Sequence, residues 1–177
     1  MPNALTRHPW GWLWISVVVF VLDYLTKVWA SESLIYGWPR PVLPPVLSWT
    51  LAHNTGAAFS FLHDAGGWQR WFFVAIAVVV GVALLVWLKR LPAGSRWLPV
   101  AIALLLGGAL GNLYDRALTG YVVDFIHVHY GDWSFPAFNI ADCGITIGAV
   151  MLVIDSLFLE GRRERAAGLR DGQERGG

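Results

Sequence analysis

The chain has 177 residues, of which 56% are hydrophobic, 11 are tryptophan and only 14% carry charge. Such a composition excludes an ordinary soluble domain and reads as a membrane protein. A net charge of +1 gives no reason to expect a nucleic-acid partner, so what matters is where the few charges fall.

A transmembrane helix needs about 20 predominantly apolar residues. Four windows qualify: Trp10 to Trp29, Trp68 to Leu88, Leu98 to Leu118 and Ile140 to Leu159. The expected fold is an all-α polytopic membrane protein with four transmembrane helices, one domain over residues 1–161, and a charged, glycine-rich cytoplasmic tail over 162–177. With the N-terminus inside, nine basic residues (Arg7, Lys89, Arg90, Arg96 and five arginines after Leu159) lie on the cytoplasmic side, against Lys27, Arg40, Arg70 and Arg116 outside. The positive-inside rule therefore places both termini in the cytoplasm. Trp10, Trp29, Trp68, Trp87, Trp97 and Tyr114 mark the span edges as an aromatic belt does. The first span is not expected to be a cleaved signal peptide, because Asp23 and Lys27 occupy its last helical turns.

Between spans one and two, Pro39, Pro41, Pro44 and Pro45 forbid a helix, and the alternation of Leu47, Trp49 and Leu51 with polar neighbours has the period of a strand. A small β element on the outer face follows. The connection "LPAGSRW" is a tight cytoplasmic hairpin. In span three, Gly107, Gly108 and Gly111 allow close helix approach. Asn112 shares a helix face with Asp115 and Arg116 at the outer end of that span. Thr119 to Asn139 reads as an outer loop, and the only cysteine, Cys143, allows no intrachain disulfide.

Ionisable groups at membrane depth are expensive and mark function by default. Asp23, Asp115, Arg116, Asp124 and Asp142 all map to the outer boundary. Two carboxylates held together share a proton, one acting as base and the other as acid, which suits activation of water against a peptide carbonyl. Asp124 and Asp142 are the candidates, but their spacing of 18 requires folding to unite them. Asp23 and Lys27, four apart, read as a structural pair.

Three other chemistries compete. His53, Asp124, His127 and His129 could collect a metal, though His-x-His without a firm third ligand is a weak signal and none is expected. A Ser/Lys dyad has only Lys27 and Lys89 to draw on, and Lys89 is on the wrong side. A proton-coupled transporter would show repeated halves and charges near the midplane, which are absent from the sequence.

The blocks "DYLTK" (23–27), "HNTGAAFS" (53–60), "GGALGNLYDR" (107–116), "VVDFI" (122–126) and "FNIADCGI" (138–145), in this order on a four-span chain, resemble the signatures of lipoprotein signal peptidase, the signal peptidase II family of aspartic peptidases. The resemblance implies an enzyme of the bacterial inner membrane that removes the signal peptide of diacylglyceryl-modified prolipoproteins immediately before the lipidated cysteine. It further implies Asp124 and Asp142 as the catalytic dyad, and Asn54, Gly56, Ala57, Phe59, Asn112, Arg116 and Asn139 in the substrate pocket. Asp23, Lys27 and Asp115 are expected to be structural. A periplasmic β cradle over the site, no cofactor, a monomer among membrane lipids, and inhibition by the cyclic peptide globomycin complete the expectation.

Overall fold

The computed structural model describes residues 9–56 and 67–159. Ala57, Phe59 and the 162–177 tail lie outside these residues. Four helices are long and apolar enough to span a membrane: Pro9–Ser33, Trp68–Arg90, Trp97–Leu118 and Ile140–Leu159. The first comprises a 3-10 turn at Pro9–Trp12 followed by α1 (Leu13–Ser33), one turn longer than the hydropathy window suggests. Helix α2 (Trp68–Arg90) and α3 (Trp97–Leu118) follow. The last span is α4 (Ile140–Ile154) closed by a π turn at Asp155–Leu159.

Helix α3 is central and touches α1, α2 and α4. Helix α1 buries Ser16, Val19, Asp23, Lys27 and Ala30, a single stripe at spacings of three and four. Helix α2 buries only Gln69, Leu84 and Leu88, so nearly all of it is left for lipid. Where α3 and α4 cross at Gly108 and Gly148 there is no room for a Cβ. A Cβ on Gly108 would meet Ile145 Cγ1 at 2.8 Å, and one on Gly148 would meet the Ala101 carbonyl oxygen at 2.7 Å. Lipid tails supply no hydrophobic drive between helices, so close backbone packing of this kind is what holds the bundle. Ser16 adds an interhelical bond from Oγ to the Ala103 carbonyl at 2.7 Å.

The sheet has four antiparallel strands in chain order: β1 (Arg40–Leu43), β2 (Leu47–Asn54), β3 (Val122–Tyr130) and β4 (Trp133–Ser134). Two features differ from the sequence reading. Residues 122–130 form a strand rather than a loop, in keeping with their valine, isoleucine and aromatic content. In β2 the buried positions are Ser48 and Leu51, not the run Leu47, Trp49 and Leu51, because a register shift between Trp49 and Ala52 breaks the alternation. Leu51, Val123 and Phe125 of the sheet pack with Ala30 and Leu34 at the end of α1, which seats the sheet on the bundle.

Candidate active site

Where the sheet meets the helices, four consecutive β3 residues, Val122 to Phe125, are all buried. Helical elements cover one face of the strand start and β2 flanks its edge, so Asp124 is only 3% exposed. The β2–β3 register pairs Ala52 with Asp124 and Asn54 with Val122, bringing Asn54 within hydrogen-bonding reach of Asp124.

Asp142 arrives from a different element. "NIAD" forms a capping box at the start of α4: the Asp142 N–H donates to Asn139 Oδ1 at 2.9 Å, and the Asn139 N–H donates to Asp142 Oδ2 at 3.3 Å. The fully buried Asn139 then turns its Nδ2 to Asp124 Oδ1 at 2.7 Å. One asparagine thus caps the helix that carries Asp142 and grips the carboxylate of Asp124. From α3, Asn112 Nδ2 donates to Asp142 Oδ1 at 2.7 Å.

Burial is the main cause that pushes the Asp124 carboxyl up from 3.8 to about 7, and the charge of Asp142 is the next. Hydrogen bonds from Asn54 and Asn139 and the charge of Lys27 oppose the rise. Asp142 keeps two donors on its carboxylate and sits in the first turn of α4, where a helix N-terminus favours negative charge. The environments of the two aspartates are therefore unequal: Asp124 suits an acid and Asp142 a base.

Both aspartates line one cavity of about 800 Å³, together with Asn54, Thr55, Asn112 and Arg116. Arg116 donates from Nη2 to the Gly56 carbonyl at 2.9 Å and lies over the Phe73 ring, while its buried Nε has no partner among the described residues. Of the residues singled out in the sequence, Asn54, Gly56, Asn112, Arg116, Asp124, Asn139 and Asp142 converge here. The remaining wall was not foreseen. Phe135 to Phe138 and the α4 face of Cys143, Ile145, Thr146 and Ile147 complete the cavity, with Ile147 also exposed on the bundle exterior.

Among the described residues the histidines are otherwise engaged, although His53 also lines the cavity. They lie on strands rather than in a loop: His127 contacts Thr50 through Nδ1 and Ser134 through Nε2, and His129 Nε2 contacts Ser48. His53 stacks on Tyr121 with ring centroids 4.1 Å apart, and burial lowers its pKa. Among the described residues no three His, Cys, Asp or Glu side chains gather as a metal site would require.

A family model for signal peptidase (SPase) II matches residues 15–158. The chain belongs to the signal peptidase II family. It is a peptidase and a multi-pass bacterial membrane protein. A lipoprotein signal peptidase of Pseudomonas aeruginosa is 59% identical over 145 residues, spanning 81% of this chain and 86% of that relative. One from Acinetobacter baumannii is 59% identical over 173 residues, 93% of this chain and 98% of the relative. Two bacterial membrane enzymes solved by the in meso method share the fold. One has a TM-score of 0.75 and 37% identity, covering 82% of this chain and 87% of its own; the other has 0.74 and 36%, covering 84% and 93%.

Proposed function

We propose that the chain cleaves the signal peptide of diacylglyceryl-modified prolipoproteins immediately before the lipidated cysteine, using Asp124 and Asp142 to activate water. The observation that carries this reading is the junction at Asn139: a single side chain joins two carboxyl groups of unequal environment at the wall of one cavity. Asp142, ionised, takes a proton from the attacking water as its oxygen adds to the scissile carbonyl carbon. Asp124, protonated, gives its proton to the carbonyl oxygen. Collapse of the tetrahedral species breaks the C–N bond and passes a proton to the leaving amine of the cysteine.

The substrate's signal helix and acyl chains both lie in the bilayer, so the cavity is entered sideways along the α4 face of Ile145 and Ile147. Asn54, Asn112 and Arg116 line it and can donate to the extended peptide backbone. Gly56 would border it, and the family resemblance adds Ala57 and Phe59, outside the described residues, as substrate contacts. The distribution of basic residues and the family resemblance support an inner-membrane enzyme with both termini in the cytoplasm and its site at the periplasmic face; a monomeric state and block by globomycin-type cyclic peptides are part of the same proposal.

Purified protein mixed with a lipidated prolipoprotein and, separately, with its unlipidated precursor tests the reading. Mass spectrometry of the product should show a diacylated cysteine at the new N-terminus, with the unlipidated form cleaved at least about tenfold more slowly, as loss of remote binding energy dictates. Equal turnover of the two forms, or a cut elsewhere, would contradict it.

A further inference from the structure

Behind the aspartates lies a buried charge cluster that the reaction does not use directly. Lys27, 4% exposed, pairs through Nζ with Asp23 Oδ2 at 2.7 Å and with Asp115 Oδ2 at 2.9 Å, and donates to Asn112 Oδ1 at 3.2 Å. Each of its two acid partners also holds a backbone amide. Asp23 Oδ1 accepts from the Ala141 N–H at 2.8 Å, and Asp115 Oδ2 accepts from the Val123 N–H at 3.1 Å. Ala141 immediately precedes Asp142, and Val123 immediately precedes Asp124.

We infer that Lys27 is a positioning residue that sets the separation and the polarity of the aspartate pair: its ammonium bridges two carboxylates, each anchoring the residue before one aspartate, and it orients the Asn112 amide toward Asp142. The inference rests on the dyad reading above. A simple i, i+4 pair within α1 would stiffen one helix and nothing more. Here the ammonium links α1 to α3, and through the two carboxylates reaches the start of α4 and the start of β3. Apart from Asn139 and the backbone bridge between Ile126 and Phe138, the Lys27 bridge is what ties together the elements that carry the two aspartates.

The amide of Asn112 carries the second half. Its Oδ1 accepts from both Lys27 Nζ and Asn139 Nδ2, so the oxygen must face them and Nδ2 must face Asp142. Lysine has no acceptor, so this orientation cannot be reversed while Lys27 stays in place. A fixed donor thus faces the Asp142 carboxylate, while Asp124, whose carboxyl burial raises to about 7, holds the shared proton. The charged and polar groups that face Asp124 are Asp142 from α4, Asn54 from β2, Asn139 from the α4 cap, Lys27 from α1 and Arg116 from α3.

The test compares wild type with Lys27→Met and with the charge-neutral combination Asp23→Asn, Lys27→Met, Asp115→Asn. The combination leaves no unpaired buried carboxylate, and its amide oxygens can still accept from Ala141 and Val123, yet the bridge is gone. Rates are measured per folded molecule, with a lipidated prolipoprotein as substrate. The neutral variant should lose about a hundredfold in kcat, the cost of misplaced reacting groups, while KM stays within about threefold. In the unaltered protein the Val123 and Ala141 amide hydrogens should exchange slowly, a readout that needs no variant.

A neutral variant with kcat within threefold of wild type, or with kcat and KM changed in equal measure, overturns the inference, as does rapid exchange at either amide in wild type. Asp124→Asn and Asp142→Asn are assayed alongside. Activity in either of these sinks the dyad reading itself, whereas inactivity of both with an unaffected neutral variant sinks only the role of Lys27.

Discussion

The carboxyl of Asp124, raised to about 7 chiefly by burial and then by the charge of Asp142, makes the rate depend on pH in a way that can be worked out in advance. If Asp124 supplies the proton, the active fraction follows its protonated form. A group titrating near 7 is about nine tenths protonated at pH 6 and about one tenth at pH 8. The value of kcat/KM should therefore fall about tenfold per pH unit on the alkaline side, with a second fall at acid pH where the pair takes up a second proton. The two limbs belong to the coupled pair. Arg116 is the lever, because its charge couples to Asp142 first and to Asp124 next. Arg116→Gln removes a cation that favours ionised Asp124, so the alkaline limb should move up by about one pH unit, the low end for a neighbouring charge. Initial cleavage rates in detergent micelles between about pH 5 and 9, with a folding control at each point, give the profile. A flat profile, or a downward shift in Arg116→Gln, would refute the shared-proton mechanism.

The same burial makes Asp124 a stability liability: its folded-state pKa lies above the unfolded value of 3.8, so the penalty is absent below that pH, grows as pH rises toward about 7 and is full above it. Asp124→Asn should relieve up to about 4 kcal/mol of this at pH 8 and little near pH 4, so the gain in thermal midpoint over wild type should be larger at pH 8. An equal gain at both would contradict the burial account. Gly111→Ala puts a Cβ 2.5 Å from Asp23 Oδ2 and 3.2 Å from the Ala141 Cβ, which should cost about 1–3 kcal/mol and lower the melting temperature measurably. A wild-type melting curve would show that the α1–α3–α4 junction is slack. Chelation with EDTA should leave cleavage unchanged, since the His127 and His129 nitrogens already hold Thr50, Ser134 and Ser48; activity lost to EDTA and restored by Zn²⁺ would reassign the chemistry.

The four spans were legible because length and apolar content are local properties, and the structure moves their ends by about a turn at most. Strand β3 was not. Its first four residues are buried on both sides and so lack the alternation that identifies a half-exposed strand, although Val122, Val123, Phe125 and Ile126 carried the compositional signal. In β2 the register shift hid which residues face inward. The aspartate pair was legible only through the family resemblance, because an 18-residue spacing does not reveal that β3 and the α4 cap meet at Asn139. For Lys27 the sequence offered the i, i+4 relation to Asp23 and no more. Its bond to Asp115, and the grip of both acids on Val123 and Ala141, are tertiary. The Phe135 to Phe138 wall gave no signal beyond its apolar content.

Asparagine at either aspartate tests the central claim most directly. Asp124→Asn and Asp142→Asn keep side-chain size and most hydrogen bonds but cannot share a proton between two acids. With a diacylated prolipoprotein in reconstituted vesicles, wild type should release the signal peptide, while each variant, folded and membrane-inserted, should be slower by about 10⁴-fold or more, as when a member of a catalytic unit is removed. A rate within about tenfold of wild type in either variant would mean that the two carboxyl groups joined at Asn139 do not form the catalytic pair.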